Sequence, residues 1–144
     1  RSSDLPPGTG DTQLTMLQSV PVTGAVIVTT PQEVALDDAR KGLEMFGEHE
    51  TPVLGIVENM STFECPDCGS EHAIFGSGGG RAFADEVEMP FLGEIPLDTA
   101  IREGGDDGRP LVLEDGATGD ALRSFARRTA DMQGIVHRRG IAEL

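Results

Sequence analysis

Lysine is almost missing from this chain. Lys41 is the only one, and the other ten of the eleven basic residues are arginine. A nucleotide phosphate loop follows G-x-x-x-x-G-K-[ST], with its lysine reaching the β- and γ-phosphates. Lys41 is followed by Gly42 inside a segment of helical periodicity, so no such loop is present. Cysteine is nearly as scarce: Cys65 and Cys68 are the only two, which excludes a disulfide framework and leaves metal or redox chemistry. No window approaches the roughly 18 apolar residues of a membrane-spanning helix. There is no signal-peptide pattern and no internal repeat, so the default compartment is the cytoplasm, without a membrane partner.

The shortage of lysine leaves 25 acidic residues poorly balanced, at a net charge of −14 over 144 residues. With no basic stripe to displace counterions from phosphates, nucleic acid is excluded as a partner. Dense carboxylates with a single lysine suit a protein kept soluble in concentrated salt, where self-repulsion is screened. A halophilic source is therefore expected.

The length is that of one domain with a single core. Gly24–Thr30 and Pro52–Val57 are continuous runs rich in β-branched residues, the pattern of strands buried on both faces of a parallel sheet. Phe91–Ile95 predicts a third strand, closed by Pro96. Helices are predicted over Thr12–Val20, over roughly Val34–Phe46, over Arg81–Val87 and over Ala117–Met132, with a helical turn at Leu97–Arg102 before a loop at Gly104–Gly108. This alternation predicts an α/β fold, a partial doubly wound parallel sheet. Residues 1–133 form the domain and 134–144 a tail. The first helix has no strand before it, so the chain reads as the back half of a larger fold with an exposed sheet edge.

Chemistry concentrates between Glu58 and Gly69. Thiolates at the Cys65–Cys68 spacing can grip one metal ion or one edge of a cluster, because the turn between them points both sulfurs the same way. A redox dithiol usually sits at a helix start, whereas Gly69 and Ser70 suit a knuckle. Two readings stay open: a zinc knuckle recruiting His72, or an iron–sulfur cluster completed by the same two cysteines of a second copy. Gly76–Gly80 reads as a connector opening a helix rather than a phosphate cradle, since Arg81 breaks the G-x-G-x-x-G pattern. Asp4–Asp11 has turn chemistry, and an aspartate there can hold Mg²⁺ through its water shell.

Three segments together resemble the Mrp/ApbC iron–sulfur cluster carriers, which belong to the MinD-like P-loop ATPases. They are Asp4-Leu5-Pro6-Pro7-Gly8-Thr9-Gly10-Asp11, Val28-Thr29-Thr30-Pro31-Gln32-Glu33-Val34-Ala35-Leu36, and Glu58-Asn59-Met60-Ser61 with Cys65-Pro66-Asp67-Cys68-Gly69. The resemblance covers Asp4 to about Leu113. It implies a P-loop NTPase-like sheet lacking its N-terminal strands. It also implies a homodimer that binds ATP and Mg²⁺ and carries a [4Fe–4S] cluster on Cys65 and Cys68 of both subunits, delivering it to apo iron–sulfur proteins. In that comparison Asp4 is the Mg²⁺-side acid, Gly8 lies near the γ-phosphate, Asn59 faces adenine and Pro96 flanks the base. The family hydrolyses ATP, but hydrolysis by this chain alone is not expected without the phosphate loop. The alternative is a non-enzymatic Zn²⁺ knuckle for protein–protein contact.

Overall fold

The computed structural model describes Leu5 and residues 10–142, with side chains to Arg138. Asp4 and Gly8 lie outside the described residues. Helix α1 (Asp11–Ser19) precedes strand β1 (Ala25–Thr29), helix α2 (Glu33–Glu48), strand β2 (Val53–Glu64), the two-residue strand β3 (Glu71–His72) and helix α3 (Gly79–Glu86). Strand β4 (Phe91–Leu97), helix α4 (Thr99–Asp106), a 3-10 turn at Leu111–Leu113 and the long helix α5 (Ala117–Ala142) complete the order. Helix α5 runs past the predicted end at Met132 and through Gly134 to Ala142.

The central strand is β2, flanked in parallel by β1 and β4. Ile27 pairs with Ile56, and Ile56 with Phe91. Beyond the parallel part, β3 returns antiparallel on the outer end of β2, so Phe63 lies between His72 and Leu97. Alternate residues of these strands feed two cores. On one face Ile27, Ile56, Phe83 and Ala84 pack with Ala39 of α2. On the other, Val57, Leu92 and Ile95 pack with Ile101 of α4 and with Leu122, Phe125 and Met132 of α5. Helices on both faces of a parallel sheet are the doubly wound arrangement.

Four local expectations are corrected. Strand β1 is not buried on both faces: Val28 is 61% exposed, and among the described residues β1 pairs only with β2. Strand β2 does not stop at Val57 but runs on to Glu64. A register shift between Asn59 and Phe63 absorbs the extra residues, Met60 takes a left-handed φ of 58°, and the Ser61 hydroxyl donates to the Ile95 carbonyl at 3.2 Å. Pro96 does not close β4, which continues to Leu97. It sits opposite that same irregularity, where the ladder asks for no donor. Finally, Gly104 and Gly105 are helical, within α4. The helix stops instead at Gly108, whose φ of 67° permits a Schellman ending with Arg109 N–H on Gly104 O at 2.7 Å and Gly108 N–H on Gly105 O at 3.3 Å.

Candidate functional site

Both cysteines stand at the apex of the β2–β3 hairpin. The Cys65 amide donates to the Ser70 carbonyl at 2.9 Å, and the Gly69 amide donates back to the Cys65 carbonyl at 2.8 Å. Closing so tight a turn needs the left-handed φ of 67° at Gly69, which glycine adopts without strain. The turn leaves Cys65 half-buried and Cys68 exposed, both as free thiols. No helix begins at the pair, so the helix-start geometry of redox dithiols is missing.

Cys68 Sγ and the Ser70 hydroxyl share a hydrogen bond at 3.3 Å. The acidity of Cys68 is raised: hydrogen bonding from the Ser70 side chain, then from the Ser70 backbone and the Cys65 side chain, holds the thiol below its ordinary pKa, against a small opposing desolvation. These bonds favour the thiolate, the form that binds metal. Yet two thiolates make half a shell. Among the described residues no group of three or more His, Cys, Asp or Glu converges to hold a metal ion. His72 is exposed on β3, opposite Phe63, and does not join the sulfurs.

Asn59 and Pro96 come together on neighbouring strands. Asn59 pairs with Ile95, the residue before Pro96, at the carboxyl ends of the parallel strands where open α/β sheets take ligands. The Asn59 carboxamide is half-buried, and its Oδ1 accepts from the adjacent Met60 amide at 3.0 Å. Just beyond, Asp98 joins two helices: Oδ1 accepts from the Ala100 amide at 2.8 Å, and Oδ2 from the Thr118 hydroxyl at 2.7 Å.

Neither the lone lysine nor the glycine stretch is free to clamp phosphate. Lys41 is exposed on α2 and bonded to Asp38 at 3.2 Å. The start of α3, the end of the Gly76–Gly80 stretch, is already occupied by a side-chain acceptor. Glu58 is fully buried, and its Oε2 accepts from the Gly80 amide at 2.5 Å. The sequence pointed to Asn59 and the cysteines but gave Glu58 no role. A carboxylate directly after a β-branched buried run was the available signal, because a charge in that position needs a donor.

The described residues thus form a doubly wound α/β domain that carries an exposed thiol pair on an extended hairpin. Residues 3–130 match the family described as ParA: NUBPL iron-transfer P-loop NTPase, and the chain belongs to that family. It is 53% identical over 130 residues to the iron-sulfur cluster carrier protein of Synechocystis sp., covering 88% of this chain and 37% of the relative. It is 49% identical over 118 residues to the iron-sulfur cluster transfer protein NUBPL of Mus musculus, covering 82% of this chain and 37% of that one. The chain thus spans well under half the length of these curated relatives. Among solved structures, the nucleotide-binding protein of Archaeoglobus fulgidus in complex with ADP superposes with a TM-score of 0.65 at 46% identity, over 73% of this chain and 43% of that one. The cell division ATPase MinD of Pyrococcus furiosus superposes with a TM-score of 0.66 at 26% identity, over 90% and 50%.

Proposed function

We propose that this chain is the cluster-bearing portion of an iron–sulfur cluster carrier. Cys65 and Cys68 of two copies together hold a [4Fe–4S] cluster as cargo, which the carrier passes to apo iron–sulfur proteins in the cytoplasm. The observation that carries this reading is the exposed thiol pair at a hairpin apex with no third ligand among the described residues. Four cysteine thiolates are the usual shell of such a cluster. A two-fold axis through the site would supply the missing pair. The Ser70 hydrogen bonds favour the thiolate and so suit the chain to taking up its cargo.

Nucleotide chemistry belongs to the intact parent in this account. There Asp4 faces Mg²⁺, Gly8 the γ-phosphate, Asn59 adenine and Pro96 the other side of the base. Support comes from Asn59 and Pro96 meeting at the ligand end of the sheet and from a carboxamide's ability to donate to and accept from a base edge. The described residues do not themselves fit a triphosphate, so no hydrolytic step is assigned to this chain.

Anaerobic reconstitution with iron and sulfide tests the reading: a brown protein with about four irons per pair of chains is expected. A colourless protein that instead takes zinc stoichiometrically would replace it with the zinc-knuckle interaction module.

A further inference from the structure

We propose that Glu58 is a positioning residue for the cysteine excursion, tying the foot of its return arm to the sheet. The proposal rests on the carrier reading for its consequence but on geometry for its content. Residues 59–79 run out along the outer half of β2, turn at the cysteines, return as β3 and re-enter the fold at α3. The two feet of that excursion are Glu58 and Gly80, residues 22 apart in sequence and joined by the Oε2–amide bond.

The two arms are not held equally. The outgoing arm pairs with β4 at Asn59 and Phe63. The return arm has two cross-strand pairs, Phe63 with His72 and Glu64 with Glu71, and residues 71–78 are exposed apart from the half-buried Phe75. Its attachment at the base therefore governs how firmly the sulfurs are presented. The base is built for contact. A Cβ on Gly80 would lie 2.9 Å from Glu58 Cβ and 3.0 Å from its Oε2, and one on Gly79 would lie 2.6 Å from the Pro31 carbonyl oxygen. Both glycines are required by close approach rather than by flexibility.

Glu58 is also an odd choice for packing alone. Its other oxygen, Oε1, is buried with no hydrogen-bond partner, a position where leucine of similar volume would be cheaper. A carboxylate kept there despite that cost is explained by the bond it makes to Gly80. The local Cys65–Ser70 turn has its own hydrogen bonds and does not depend on Glu58, so the two effects separate.

Amide hydrogen exchange and cluster release from the reconstituted chain test this with two variants. Glu58→Leu fills the volume without an acceptor. It orphans the buried Gly80 amide, so it should lower the global unfolding midpoint modestly and speed exchange over residues 71–80 by about tenfold, the factor for one ordinary hydrogen bond. Cluster loss to a chelator should quicken in parallel. Glu58→Gln keeps an acceptor oxygen and should restore slow exchange in that segment. Alkylation of the apo thiols should be the same in all three proteins. Unchanged exchange over 71–80 in Glu58→Leu would overturn the proposal. If that variant does not fold, rapid exchange of the wild-type Gly80 amide overturns it equally. A wild-type chain that takes up no cluster would sink the carrier reading while the exchange result still decides the tie.

Discussion

Removing the Asp98 carboxylate should unfasten α4 from α5, and its cost can be worked from two hydrogen bonds. Oδ1 caps α4 through the Ala100 amide at 2.8 Å, and losing such a cap costs about 1 kcal/mol. Oδ2 receives the Thr118 hydroxyl at 2.7 Å. Thr118 is only 8% exposed, so an orphaned hydroxyl there adds roughly 1–3 kcal/mol. Asp98→Ala is therefore expected to lose about 2–4 kcal/mol in total, read as a lower urea midpoint at unchanged slope. Asp98→Asn keeps the capping oxygen and should lose less, since only the contact with Thr118 changes. In a double-mutant cycle, Asp98→Ala with Thr118→Ala should show a coupling of about 1–2 kcal/mol. A loss below about 0.5 kcal/mol in Asp98→Ala, with no coupling, would refute the assignment of the Asp98 bridge as the joint between these helices.

Two further outcomes follow from the surface and the thiols. Because hydrogen bonds from Ser70 hold the Cys68 thiol below its ordinary pKa, its alkylation rate should rise at lower pH than that of a free thiol. Ser70→Ala should move that profile upward in pH, and a profile indifferent to Ser70 would contradict the stated cause. The net charge of −14 should make the melting temperature climb between low and molar salt as repulsion is screened; a flat or falling curve would remove the halophilic reading.

Although in β1 the run did not report burial on both faces, the parallel strands were legible because β-branched runs mark strands. Their ends were not, since the ends are decided by partners remote in sequence. Nothing in Asn59–Thr62 reads as a strand, yet the segment stays in the sheet because Ser61 finds the Ile95 carbonyl and Met60 takes a left-handed turn. Gly104 and Gly105 look like a loop, and each costs about 1 kcal/mol in a helix. They are fixed there by the Schellman ending at Gly108, and at Gly104 by the close approach of the Arg109 carbonyl, which leaves no room for a Cβ. The cysteine site was legible from spacing; the Glu58–Gly80 bond at the base of its excursion was not, because the two residues lie 22 apart in sequence.

The central claim is that the site is half-built in one copy. Native mass spectrometry of the anaerobically reconstituted protein tests it most directly. The cluster should appear only on a species of two chains, and Cys65→Ser should lose both cluster and pairing. A single chain carrying an intact, tightly held cluster would contradict it.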